Sequence, residues 1–468
     1  MRLQWVDYGW IFLYFAALGF IAILTARRRR GGADEVEDFL LAGRSLTLPL
    51  FVATLVATWY GAILGVGEFV YNAGIAEWFA FALPYYIVAL LYASVMAVPI
   101  RQQPARTIPE QLRRYYGNTA ALIGAVLIVV LTLPVSYALS FGLLISVFAD
   151  LPRWVAIVIG TLFSMGYLVT GGFRAGVWTD VVQFLLMYTG FVLLTIFTFD
   201  HFGSPAAMWQ LLPQTHTHLP GPYSWQFLLV WYIIALQTFV DPGFHQRCAA
   251  VQRPEIARKG IRIAVVFWFL FDLMTLSCGL YARAYFPNLS DPLLSYPVLA
   301  DTVLPVALKG FFIVALLATI MSTLDSYGFI SAMTLSYDIL PALLRKLRWR
   351  VSEVALTRVA LGVIAAFCVA FAVLLPSIVQ LIYYSASIAV SGLLLPLLLS
   401  YVPERSISPD AAKRVMLMGS VAAAVWIGLQ KSMGENVPIV HDIEPMLVGL
   451  SAAVCTLGYQ WLWSQWKG

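Results

Sequence analysis

Charge is what this sequence has least of. Of its 468 residues only 11% are Asp, Glu, Lys or Arg, against about 25% in a soluble domain. That is too few to clothe an ordinary water-facing surface. Polar stretches long enough to make a soluble domain are also missing, so the prior of roughly 150 residues per domain does not apply. Cysteine is sparse: Cys248, Cys278, Cys368 and Cys455 stand apart with no ligand or disulfide spacing, and buried free thiols are expected. No phosphate loop, His-Glu-x-x-His helix or nucleophile elbow occurs, so no enzyme chemistry is expected. His216 and His218 make an isolated His-x-His pair, and two ligands without a third are a weak metal site. No transition metal and no obligatory protein partner is implied.

Apolar residues take up the rest: 61% of the chain, with a mean hydropathy of +0.82. A membrane-crossing helix needs roughly 20 mainly apolar residues. Such segments recur about thirteen times, at roughly 7–26, 47–71, 77–100, 117–148, 152–171, 174–199, 224–246, 261–286, 303–340, 353–375, 378–401, 413–431 and 443–464. The long fourth and ninth segments have room for breaks. Connections rich in Lys and Arg stay in the cytoplasm. With the N-terminus outside and the C-terminus inside, 24 of the 29 basic residues lie on the inner side; Arg2, Arg153, Arg283, Lys309 and Lys431 remain outside. The net charge of +5 is then topology and calls for no nucleic acid. The Arg27–Arg30 run follows the first apolar segment, the reverse of a signal peptide; it reads as a stop-transfer signal able to touch anionic lipid. The expected place is the cytoplasmic (inner) membrane, crossed many times.

Two segments carry residues that disfavour a straight helix. The second holds Gly61, Gly65 and Gly67, and the seventh meets Asp241-Pro242-Gly243. Five spans separate their starts, so two five-helix halves of opposite orientation are expected, with a binding site where the broken helices meet. A GxxxG contact between straight helices is the plainer account of Gly61 and Gly65. The expected organisation is one transmembrane domain over 1–468. It has a peripheral first helix (7–26), a first five-helix repeat (44–199), a second (224–401) and two peripheral C-terminal helices (413–464).

The ninth segment carries the most telling pattern. Thr319, Ser322, Thr323 and Ser326 follow i, i+3, i+4, i+7 and share one helix face. A hard cation takes several oxygen ligands, and hydroxyls with carbonyls freed at a helix break supply them. A single such hydroxyl more often bonds back to the i−4 carbonyl; four on one face favour an ion site. Asp325 lies among them, and a carboxylate at mid-membrane costs about 2.5–3.5 kcal/mol unless it faces a cavity or partner. Asp180, about 10 Å in from the cytoplasmic side, is expected at a comparable depth, with pairing to Arg174 as the plainer account. Trp59, Tyr60, Gln237, Thr238, Asp241, Tyr383 and Tyr384 sit at or near the breaks and are candidates for solute contact. The stretch from His245 to Glu255 reads as a solvated basic turn.

Taken in order, Ala42-Gly43-Arg44-Ser45-Leu46, Gly171-Gly172-Phe173-Arg174 with Trp178-Thr179-Asp180, Gln246-Arg247 with Ala249-Ala250, and Ser322-Thr323-Leu324-Asp325-Ser326 resemble the sodium:solute symporter family. The resemblance covers almost the whole chain. It implies an all-α polytopic membrane protein with leucine-transporter-like inverted repeats. It also implies a sodium site formed by the side chains of Ser322 and Thr323 and the carbonyls of Thr319, Leu55 and Thr58. A second sodium site of some members falls on Asp180, Ser322, Asp325 and Ser326, with an Asp here where a hydroxyl stands there. The sugar-binding positions of the second span fall on Ala57, Trp59, Gly61 and Ala62, which cannot hold a polyol.

The expected activity is therefore symport of Na+ with a small organic solute by alternating access. Two competing classes are a proton-coupled or uncoupled carrier, with Asp180 and Asp325 titrating, and a membrane module that senses solute without carrying it. No signalling domain is expected beyond the last span, which disfavours the second.

Overall fold

The computed structural model describes residues 3–27, 35–149, 151–341, 352–374, 378–402, 407–433, 440 and 443–467. Arg28–Arg30 of the expected stop-transfer run lie outside the described residues. The described chain is helical, with one isolated bridge between Leu46 and Val251. Among the described residues, nine helical segments are long and apolar enough to cross a membrane, ten with a pair bent by 41° between Trp225–Phe239 and Pro242–Ala250.

The main helices are α1 (Trp5–Arg27), α2 (Leu48–Ala57), α3 (Ile63–Ala73), α4 (Leu83–Val95), α5 (Ile108–Thr132), α6 (Val135–Phe148), α7 (Arg153–Phe202) and α8 (Trp225–Ile234). They continue with α9 (Pro242–Ala250), α10 (Pro254–Tyr285), α11 (Leu308–Met333), α12 (Glu353–Leu374), α13 (Ile378–Ser400), α14 (Pro409–Met433) and α15 (Pro445–Lys467). Breaks fall where backbone chemistry demands them. Pro134 has no N–H to continue a helix, and α5 gives way to α6 there. Gly172, at φ 60°, turns the 50-residue α7 at its middle. At about 1.5 Å per residue α7 is far longer than one hydrocarbon core.

Both glycine- and proline-marked segments are broken. α2 ends at Ala57, and α3 resumes at Ile63; Gly61 lies in the gap, whereas Gly65 and Gly67 fall inside α3. A Cβ on Gly61 would lie 2.4 Å from Thr323 Cβ, so only glycine lets α11 press against the gap. Further on, a 3-10 turn over Ala235–Phe239 follows α8, and α9 starts at Pro242. The Asp241 carboxylate caps α9, accepting from Gly243 N (2.7 Å) and Phe244 N (3.0 Å).

α11 runs through the centre, buried almost throughout from Gly310 to Met333, as a helix apolar all round must be. α1 lies at the periphery with Trp5, Phe12, Leu13 and Phe20 exposed, the pattern of a lipid-facing helix. It is anchored by Asp7, which is 1% exposed and accepts from Ala307 N (3.1 Å) and Gly310 N (2.8 Å) at the start of α11.

Candidate functional site

The hydroxyl stripe of α11 faces the gap between α2 and α3. The last carbonyls of a helix have no partner within it. Here Ser322 Oγ donates to Ala57 O at 2.7 Å and to Thr319 O at 2.9 Å, and Thr323 Oγ1 donates to Thr58 O at 3.0 Å. Four oxygens of the expected ion site (Thr58 O, Thr319 O, Ser322 Oγ and Thr323 Oγ1) are thus brought together. Of the α2 carbonyls, that of Ala57 accepts from Ser322, and Leu55 O, the fifth expected ligand, accepts from Thr58 Oγ1 at 3.4 Å. The register of carbonyls at a helix end depends on how the last turn tightens, which side-chain spacing does not record. Thr319 Oγ1 bonds back to Ala315 O at 2.7 Å, the local alternative for a helical threonine.

The acidic residues go separate ways. Asp325 accepts from Ser164 Oγ and Tyr167 OH on α7. Asp180 accepts from Thr54 Oγ1 and, at 3.3 Å, from Arg247 Nη2. Arg247 was expected in a solvated turn; it is 1% exposed. Its Nη2 also donates to Ser326 Oγ (2.9 Å), its Nε to Thr54 Oγ1 (3.1 Å) and its Nη1 to Gly243 O (3.4 Å). The guanidinium therefore stands between Asp180 and Ser326. A buried charge survives only when paired and hydrogen-bonded, and Thr54, Asp180, Ser326 and Gly243 meet that demand. His245 and Gln246 are buried with it, His245 Nε2 lying 2.7 Å from Tyr401 OH and Gln246 Nε2 donating to Leu40 O at 3.0 Å. Arg174 does not pair with Asp180 either; it pairs with Asp38.

A cavity of about 850 Å3 opens beside the gap. Its lining takes in Ala62 and Gly65 beside the break, Gln237, Trp231 and Tyr85, and Arg153, Tyr223, Asp291 and Glu444 from the connections and helix ends. Of the candidate solute contacts, Gln237 and Tyr383 line it. The other five are committed elsewhere or sit back from it. Trp59 packs against Tyr85 and Trp268, with ring centroids 5.1 Å and 4.9 Å away. Tyr60 is buried and donates to Trp268 O at 3.0 Å. Asp241 caps α9 and accepts from Tyr327 OH at 2.6 Å. Thr238 is buried, and Tyr384 lies under Lys431 Nζ, 4.7 Å from the ring centroid. Missed by sequence reading were Glu444 and the ring cluster around Trp231, whose members come from separate segments of the chain. Among the described residues no three His, Cys, Asp or Glu side chains could hold a metal together. His216 instead plugs a loop, its Nε2 2.9 Å from Tyr71 O.

Two broken helices meeting beside a cavity in a many-spanning bundle are the architecture of a secondary transporter. The chain belongs to the sodium:solute symporter family, whose profile matches residues 39–417, and it is a multi-pass membrane transporter, not an enzyme. The osmoregulated proline transporter of Bacillus subtilis is 24% identical over 95% of this chain and 94% of its own length. High-affinity choline transporter 1 of Drosophila melanogaster is 24% identical over 91% of this chain and 70% of its own. Among solved structures, a Na+-coupled sialic acid symporter in a substrate-bound outward-open state superposes with a TM-score of 0.80 at 15% identity, covering 98% of both chains. Mhp1, a nucleobase-cation-symport-1 family transporter, does so at 0.57 and 13% identity, over 90% of this chain and 94% of its own. The fold is that of the leucine transporter.

Proposed function

We propose that the protein imports a small organic solute across the cytoplasmic membrane together with Na+, by alternating access. The observation that carries this is the convergence of Ser322 Oγ and Thr323 Oγ1 on the carbonyls of Ala57 and Thr58. The hydroxyl protons now point at those carbonyls. Rotated away, they leave lone pairs of hydroxyls and carbonyls facing one point, the all-oxygen donor set a hard alkali cation takes. Sodium bound there would tie the broken helix to α11 and favour solute binding in the cavity beside it. Each ion entering down 100 mV supplies about 2.3 kcal/mol.

The repeats are assigned to 44–199 and 224–401, flanked by 7–26 and 413–464, with about thirteen crossings, the N-terminus outside and the C-terminus inside. The excess of basic residues on one side supports that orientation. The cavity mouth, near Arg153 and Asp291, then faces outward, and the shape is outward-open. We assign one coupling sodium: the guanidinium of Arg247 already supplies the positive charge between Asp180 and Ser326 that a second ion would bring.

Uptake into proteoliposomes, with and without a sodium gradient and across pH, tests the reading. Accumulation should require sodium, with a Hill slope near one. Undiminished uptake without sodium, following the proton gradient instead, would replace it with proton coupling.

A further inference from the structure

The cavity has a chemistry of its own. Its lining holds four carboxylates, Glu68, Glu77, Asp291 and Glu444, against one base, Arg153. Glu77 is 3% exposed, and no described residue donates to its carboxylate. Oε2 of Glu444 is likewise buried without a partner among the described residues. A buried carboxylate with no donor is costly on its own and is relieved by an arriving positive charge.

Aromatic rings form much of the rest of the lining. Trp231 lies at the centre of a cluster, with centroids 6.0 Å from Phe69, 5.7 Å from Phe81 and 6.1 Å from Phe227. The electron-rich faces of such rings attract cations. Among the described residues, the protein's own cations rest on Tyr337, Phe173, Tyr71 and Tyr384, none of which lines the cavity. The cavity rings are left for a cation from outside. Neutral hydrogen-bonding side chains are few, with Asn72 and Gln237 the amides and no Ser or Thr in the lining. A polyol would leave its hydroxyls unpaired there, and an anion would meet four carboxyl groups and one base.

We infer that the cavity selects an organic ammonium ion, its charged head held between the carboxylates and the Trp231 cluster. This names the solute class of the symport reading above and rests on it.

The test uses the purified full-length protein and three probes of similar shape: tetramethylammonium, neutral tert-butanol and anionic pivalate. Binding is read by isothermal titration. Tetramethylammonium should bind at least about tenfold more tightly than either isostere. Glu77→Gln and Trp231→Leu, each with unchanged thermal unfolding, should each weaken it by about tenfold. Equal binding of tert-butanol, tighter binding of pivalate, or no effect of either substitution overturns the inference. Sodium-driven uptake separates the two readings. If the ammonium binds selectively but a sodium gradient does not concentrate it, this inference stands and symport falls. If a neutral or anionic solute is concentrated instead, symport stands and this inference falls.

Discussion

At the cavity end of the bundle, Glu68, Glu77, Asp291 and Glu444 face open space with Arg153 as the one lining base. At the other end, three arginines are each joined to a carboxylate: Arg247 to Asp180, Arg174 to Asp38, and Arg113 to Asp338 at 3.4 Å. Backbone joins them there: Leu46 N donates to Ala250 O at 3.1 Å, and Gln252 N to Leu46 O at 3.1 Å. One end leaves its carboxylates without cationic partners of their own, apart from Arg153; the other pairs each of its three named carboxylates with an arginine. On the outward-open reading proposed above, the difference shows how a single bundle can be shut at one end and receptive at the other without a separate gate domain. The shut end is held by a few cross-links that substitution can remove one at a time.

The largest effect should come from Arg247→Gln, which strands Asp180 in the interior. Thermal or denaturant unfolding in detergent should show a loss of about 3 to 5 kcal/mol, as for other broken buried pairs. Asp180→Asn on top should restore much of it; a single variant as stable as the parent would remove the seal from this comparison. Next is Gly61→Ala, whose methyl must push Thr323 away. Overpacking of this kind costs about 1–3 kcal/mol, and the sodium response should fall with it because the gap and α11 part. A normal sodium affinity in Gly61→Ala would break the link between gap and stripe.

Ser322→Ala and Thr323→Ala should each raise the sodium concentration for half-maximal uptake by about tenfold, the equivalent of one hydrogen-bonding ligand. Unchanged sodium dependence in both would reject the ion site. Arg174→Ala sharpens the view of the shut end: its side chain is 27% exposed, and so partly screened, and the loss should be about 1 kcal/mol or less.

The smallest effect is one of pH at the cavity's flank. Burial pulls the His216 imidazole below its ordinary value, with the bond to Tyr71 O acting the other way. An undocked loop takes up its proton near pH 6.5, whereas the docked one resists. Docking is therefore complete above that pH and weakens as pH falls through it. Hydrogen exchange over Gln214–Gly221, corrected for intrinsic rate, should quicken at pH 5.5 relative to 7.5, and His216→Gln should abolish the difference.

The positions of both helix breaks were legible in the sequence, because Gly61 and Asp241-Pro242 act on the backbone locally. So was the hydroxyl stripe, because helical periodicity alone puts Ser322 and Thr323 on one face. Arg247 was not. Its neighbours in sequence are those of a cytoplasmic turn, while the groups that make its burial tolerable, Asp180 and Ser326, lie 67 and 79 residues away. The cavity was illegible for the same reason: Glu77, Trp231, Asp291 and Glu444 come from four distant segments, and each alone looks like an ordinary interfacial residue.

The Asp7 clasp gives the first helix a use beyond lining the lipid. Because that carboxylate grips the backbone at Ala307 and Gly310, α1 is geared to the beginning of α11 and should ride with it. A fluorophore or spin label at exposed Phe12 would then act as an external pointer, reporting the tilt of the most deeply hidden helix from a position where the label touches only membrane.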